Sequence, residues 1–161
     1  MKRVFCRIHH CVACRACELA CAVEHSRSKN LHGALRNKEK AGPRIKVERI
    51  GETGSPRRTR TLALQCRHCE DPVCVEACIT GGLRRDGKTG KVRVDPDRCV
   101  ACWSCIMVCP FGAIAEDRNS HRAVQCDLCP DRESPACVDA CPTRALVYCE
   151  RDEIILKAVA E

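Results

Sequence analysis

Aromatic side chains are almost missing from this chain: two Phe, one Tyr and one Trp in 161 residues. A conventional core would lack its largest fillers. Long apolar runs are missing as well, and no window reaches the roughly 18–20 apolar residues of a membrane span. The opening stretch MKRVFCRIHHCVAC carries neither the apolar segment of a signal peptide nor a twin-arginine leader, which predicts a cytoplasmic chain. What the sequence has in abundance is cysteine, 18 of 161 residues. That density signals a chain held by something other than apolar packing. In a reducing compartment dense cysteines predict metal rather than disulfides.

Sixteen of the cysteines fall into four repeats. The first is Cys11, Cys14, Cys17, Cys21, and the second Cys66, Cys69, Cys74, Cys78. The third is Cys99, Cys102, Cys105, Cys109, and the fourth Cys126, Cys129, Cys137, Cys141. Each ends C-x-x-x-C, and three share a tail: CITGGL, CPFGAI and CPTRAL. An internal repeat of this kind fixes the architecture before any local reading. Between the repeats lie short strand patterns. KVRVDPD at 91–97 follows the turn DGKTG; PRIKVERIG and RRTRTLALQC flank the turn ETGSP; ALVYCERDEIIL at 145–156 predicts a terminal hairpin.

The spacing selects the metal. C-x-x-C-x-x-C wraps one loop around three irons of a single cube, and its amides can hydrogen-bond the sulfurs. The fourth cysteine is predicted to open a short helix leading away, so that its thiolate reaches a neighbouring cluster, with the proline after it in the first turn. Tetrahedral zinc takes two separated C-x-x-C pairs and has no use for a third cysteine at the next step of three. The C-x-x-C-H of c-type haem is absent. GLRRDGKT at 82–89 fits the phosphate-loop pattern by letters. It sits between two cysteine repeats and leads into a strand, so it reads as a hairpin turn.

The formal charge is +7. Four cubes, each about −2 with its thiolates, would bring the chain to about −1, so bulk basicity does not point to nucleic acid. Residues 27–60 hold eleven Lys or Arg against three Glu. That stretch reads as a solvated face, with docking to an acidic partner as the functional alternative. With sixteen thiols available no histidine is needed as a ligand, His68 being the best placed. Trp103 is expected to pack against a cluster, and Cys6 and Cys149 to be buried free thiols.

With these repeats in place the chain resembles the four-cluster ferredoxin-like electron-transfer subunits of multi-subunit oxidoreductases. These include the iron–sulfur subunits of dimethyl sulfoxide reductase, formate dehydrogenase, formate hydrogenlyase and carbon monoxide dehydrogenase systems. CRACELACAVEHS and CVACWSCIMVCPFGAI look most like the last of these. The resemblance implies nested repeats, the first with the fourth and the second with the third. One cluster would take Cys11, Cys14, Cys17 and Cys141, and its neighbour Cys126, Cys129, Cys137 and Cys21. A third would take Cys66, Cys69, Cys74 and Cys109, and a fourth Cys99, Cys102, Cys105 and Cys78. Ile79 departs from the family pattern, which commonly has proline there. The implied fold is α+β, an outer module of about 1–30 and 115–150 around an inner module of about 60–114, with a basic hairpin insertion at about 31–60. The implied function is electron relay through four [4Fe–4S] clusters, without a substrate site, between a catalytic subunit and a redox partner. That subunit would be a carbon monoxide dehydrogenase, a hydrogenase, a formate dehydrogenase or a molybdenum/tungsten enzyme, and further electron-transfer subunits could join it. A free polyferredoxin-type carrier and a cluster-containing nucleic-acid-binding or regulatory protein are the alternatives.

Overall fold

A computed structural model describes residues 1–36, 41–51 and 60–153. Its regular elements are short, as expected of an α+β chain whose interior is organised by something other than long amphipathic segments. Four two-stranded antiparallel ribbons alternate with the cysteine repeats. β1 (Arg3–Cys6) precedes the first repeat, whose helix is α1 (Ala16–Glu24). After α2 (Leu31–Arg36), β2 (Ile45–Ile50) pairs with β3 (Arg60–Gln65). The second repeat holds α3 (Val73–Glu76), and β4 (Leu83–Arg85) pairs with β5 (Val92–Val94). The third repeat holds α4 (Ser104–Val108), and β6 (Ile114–Asp117) pairs with β7 (Arg122–Gln125). The fourth holds α5 (Ala136–Asp139), and β8 (Leu146–Cys149) returns to pair with β1.

Three local expectations need comment. Residues 82–89 form β4 and the turn into β5, so the phosphate-loop lettering is indeed a hairpin. The 145–156 hairpin does not form among the described residues: β8 pairs instead with β1, Leu146 lying opposite Cys6. Residues 154–156 and the turn ETGSP lie outside the described residues. The helix of each repeat begins one residue before the third cysteine, not at the fourth. Cys17, Cys74, Cys105 and Cys137 are each the second residue of a helix. The fourth cysteine in the last three repeats follows the helix end, so Pro110 and Pro142 come after a terminated helix, where a residue unable to continue it belongs. Pro72 and Pro135 sit at the other end, capping α3 and α5.

The helices pack as α1 on α5 and α3 on α4. Arg132 bridges the first pair, meeting Glu24 at 3.1 Å and Asp139 at 2.8 Å. Arg67 of the second repeat lies over the Phe111 ring of the third, 4.1 Å from its centroid. Two small cores result. One gathers Val4, Ile45, Val47, Ala63, Leu128 and Leu146 around Cys17, Cys21, Cys126 and Cys137. The other gathers Leu83, Val92, Ile114 and Ala123 around Cys105. In both, sulfur stands where a larger domain would place aromatic rings.

Candidate metal centres

The loop that carries each repeat owes its curvature to residues in the left-handed region. Ala13, His68, Ala101 and Leu128, each just before the second cysteine, have φ of 57°, 46°, 55° and 65°. Arg15 and Trp103, just after it in the two compact repeats, have φ of 60° and 64°. Such conformations cost a non-glycine residue roughly 1–2 kcal/mol and persist where surrounding bonds over-determine them. Three residues beyond the fourth cysteine the same conformation recurs at Gly81, Gly112 and Arg144. Repeated backbone strain at equivalent places turns sulfurs inward from both sides of a loop.

The structure brings the cysteines together in four groups. Cys11, Cys14, Cys17 and Cys141 line one hollow, here site 1. Cys78, Cys99, Cys102 and Cys105 line another, site 4. At site 2, burial raises the Cys137 thiol well above its usual range, and its neighbours Cys126, Cys21 and Cys129 add to that. At site 3, burial pushes Cys66 up to about 12, reinforced by Cys74, Cys69 and Cys109. Buried thiols in such numbers would repel as thiolates unless a cation lay among them, which is the condition a metal satisfies.

The sites also follow one another. Cys137 of site 2 feels the charge of Cys17 of site 1. Cys126 of site 2, pushed up to about 12 chiefly by burial, feels Cys66 of site 3. Cys74 of site 3, pushed up to about 11 chiefly by burial, feels Cys105 of site 4. Only Cys14 and Cys102 are exposed among the 18 cysteines, one at each end of the row.

Donors surround the sulfurs as ligated thiolates need. The Leu83 amide donates to Cys78 Sγ at 3.3 Å, the Ala113 amide to Cys109 Sγ at 3.5 Å and the His68 amide to Cys66 Sγ at 3.5 Å. Burial would raise Cys78 and Cys141, but amide and Thr80 or Thr143 hydroxyl bonds outweigh it and hold both below the usual thiol range. The amide and hydroxyl of Ser104 lower Cys102 likewise. Sixteen soft sulfur donors in fours, each group ringed by N–H and O–H, fit [4Fe–4S] clusters better than single ions.

One polar cluster was not foreseen. Cys21 Sγ accepts from the Arg44 amide at 3.2 Å and lies 3.6 Å from His25 Nδ1. Nδ1 donates to the Cys21 carbonyl at 2.7 Å, and Nε2 faces Asp127 at 3.2 Å. Arg44 reaches the other Asp127 oxygen at 2.5 Å, and the Cys129 amide donates to Asp127 at 3.0 Å. Burial opposes a charged His25, but the Asp127 and Cys21 bonds prevail and raise it to about 10. Asp127 is held well below the carboxylate range: burial works against this, while His25 and Arg44 carry it. His25, Asp127 and Cys129 lie close enough to share a cation, but Arg44 already occupies the carboxylate. Nothing in the spacing announced this network, since His25 and Asp127 are 102 residues apart.

His68 is fully buried; Nδ1 accepts from the Val92 amide at 3.0 Å, and burial lowers its pKa to about 4. Trp103 and Val100 line site 4. Cys149 is buried, whereas Cys6 is half-buried beside Cys11 and Cys141 of site 1. In the basic stretch, Arg44, Lys29 and Lys46 are spent on Asp127, on Glu24 and Asp131, and on Glu48. Residues 37–40 and 52–59 of that stretch lie outside the described residues.

Comparison with known proteins gives a consistent picture. Residues 58–151 match the family described as 4Fe-4S dicluster domain. An "Iron-sulfur protein" of Rhodospirillum rubrum is 38% identical over 159 residues, covering 89% of this chain and 79% of that protein. "Electron transport protein HydN" of Escherichia coli K12 is 37% identical over 160 residues, covering 89% and 85%. "Thiosulfate reductase electron transfer subunit PhsB" of Salmonella typhi is 34% identical over 151 residues, covering 89% and 72%. Among solved structures, the active-site complex BamBC of benzoyl coenzyme A reductase aligns with 99% of this chain and 89% of its own, at a TM-score of 0.48 and 24% identity.

Proposed function

This chain belongs to the 4Fe-4S dicluster domain family, and on that premise we propose that it is an electron-relay subunit holding four [4Fe–4S] clusters in a row. The observation that carries this is the linear order of the four sulfur groups, with exposed Cys14 at one end, exposed Cys102 at the other and the two middle groups without an exposed cysteine. When bound, each cluster supplies a reversible one-electron couple whose potential depends on hydrogen bonds, charge and exposure. The chain's own part is to space the centres, shield the middle pair and donate hydrogen bonds to the sulfurs.

The sixteen cysteines act as iron ligands in the crosswise sets of sites 1 to 4. The chain has no substrate site of its own. An outer module of about 1–30 and 115–150 encloses an inner one of about 60–114, in keeping with α1 packed on α5 and α3 on α4. Catalysis belongs to a partner metalloenzyme of the carbon monoxide dehydrogenase, formate dehydrogenase, hydrogenase or molybdenum/tungsten class. Relatives named as electron transport protein and electron transfer subunit support a relay role. No helix of the described residues is long and apolar enough to cross a membrane.

The test is anaerobic purification followed by metal analysis. About sixteen irons per chain, with visible absorption that bleaches on dithionite, is the expected result. Stoichiometric zinc, or thiols joined as disulfides, would overturn it. Isolation of the native complex then identifies the catalytic partner.

A further inference from the structure

The two exposed ends of the row are built on the same loop but finished differently. At site 1 the residue after the exposed cysteine is Arg15, and the crossover cysteine is followed by Pro142 and, two residues on, by Arg144. At site 4 the corresponding residues are Trp103, Ile79 and Gly81. Each mouth carries one exposed valine, Val12 (63%) at site 1 and Val100 at site 4; beyond it site 1 has cations, whereas site 4 adds Trp103 and Ile79. Ile79, 74% exposed, lies between Cys78 and Thr80 of the site 4 wall, and Val100, 59% exposed, stands in that wall with Trp103. Ile79 stands where the other tails carry proline, and nothing in its own loop uses the side chain.

Around this apolar centre runs a rim of exposed arginines. Arg98 donates to the Thr80 carbonyl at 2.7 Å and Arg84 to the Gly81 carbonyl at 3.0 Å, which fixes both guanidinium groups beside the Cys78 tail. Arg93 lies directly opposite Arg84 across the β4–β5 ribbon. Like charges facing each other across a ribbon destabilise it; Asp86 and Asp95 line the same groove and Asp86 feels the Arg93 charge, but among the described residues neither arginine comes within ion-pair distance of a carboxylate. An apolar centre with tryptophan, bounded by arginine, has the composition of a protein interface rather than of a solvated loop.

We propose that this face is a docking surface for a redox protein that presents an apolar patch ringed by carboxylates, and that electrons enter or leave the chain beside Cys102. This rests on the relay reading and names the chemistry of one of its two partners. Carboxylates would relieve the Arg84–Arg93 repulsion, and Ile79 and Val100 would leave water.

The test uses the intact four-cluster protein, reduced with dithionite and mixed in stopped flow with an acidic flavodoxin as probe. Arg84→Glu/Arg93→Glu should slow flavodoxin reduction about tenfold at low salt and flatten its salt dependence. Ile79→Lys should slow it several-fold. His9→Glu/His10→Glu, exposed just before Cys11 at the other end, should leave the rate within about twofold. Iron content and visible spectrum check folding, and Arg84→Gln/Arg93→Gln replaces the reversal if it fails to load clusters. Equal or greater loss from the site 1 variants, or no change from either set, would overturn the assignment. A wild-type protein that takes no electrons from dithionite, or passes none to a small neutral quinone, would take down the relay reading and this surface with it.

Discussion

Asp127→Ala tests whether the site 2 sulfurs are held by a charge network rather than by their loop alone. One carboxylate there meets three donors, His25 Nε2 at 3.2 Å, Arg44 Nη1 at 2.5 Å and the Cys129 amide at 3.0 Å. The side chains are 27% exposed for Asp127, 13% for His25 and 23% for Arg44, so water screens them only partly. A hydrogen bond to a charged group contributes about 1.5–3 kcal/mol, but three donors sharing one acceptor do not add. Removing one partner of a buried pair costs about 3–5 kcal/mol, and partial exposure places this case near 3. For a chain of this length that corresponds to a fall in Tm of about 6–12 °C. Asp127→Asn should lose about half as much, because the amide oxygen still accepts from Cys129. Anaerobic thermal melts of the cluster-loaded protein at one scan rate provide the measurement. Arg44→Met in the Asp127→Ala background should cost less than it does alone, since the isolated guanidinium is then no longer stranded. A melt within about 2 °C of wild type for Asp127→Ala, or strict additivity in the double variant, would refute the reasoning.

Crosswise ligation predicts that Cys109→Ala, in the third repeat, and Cys66→Ala, in the second, abolish the same electron paramagnetic resonance signal and leave about twelve irons. Cys99→Ala, a close sequence neighbour of Cys109, should abolish a different one; identical losses from Cys109 and Cys99 would mean local ligation. Arg144 holds φ of 54° where the equivalent residues are Gly81 and Gly112, so Arg144→Gly should relieve roughly 1 kcal/mol of strain and raise Tm by about 2–4 °C. Asp117 accepts from the Ser120 amide and hydroxyl at 3.0 and 2.5 Å in the β6–β7 turn. Burial opposes it, yet these bonds hold its pKa below the usual carboxylate range, so its contribution is present in full above the unfolded value and fades only as pH falls through the folded one. Asp117→Ala should accordingly lower Tm by about 1–2 °C, equally at about pH 6 and pH 8; a deficit that changes between them contradicts the assignment.

The cysteine pattern was legible because a ligand's position is set by covalent spacing. Three thiols at steps of three reach one centre whatever the rest of the chain does, and the ribbons at 45–50/60–65 and 83–85/92–94 follow from alternation and turn residues close by in sequence. The grouping into crosswise sets came from family likeness, and the proposed sets are compatible with α1 packing on α5 and α3 on α4. Contacts made at long range were not legible. Leu146 was read into a local hairpin, but its strand finds Cys6 some 140 residues earlier, where the edge of β1 would otherwise stay unpaired. The helix starts were misplaced by a few residues. The spacing shows where sulfurs are needed but not that the first-turn amides of Glu18 and Ile106 would close onto the Arg15 and Trp103 carbonyls and so start the helix before the third cysteine.

Arg44 shows the same division from the other side. In the sequence it is one cation among eleven in residues 27–60, and the count suggested a surface. In the fold its amide bonds the Cys21 sulfur of the first repeat, while its guanidinium holds Asp127 in the fourth. A residue from the insertion thus joins the two repeats that build site 2. The charge ledger therefore counts cations without saying which are spent internally, and geometry decides that. Arg84 and Arg93, opposed across a ribbon, are the complementary case: among the described residues neither comes within ion-pair distance of a carboxylate, at the end of the row where Cys102 reaches the surface.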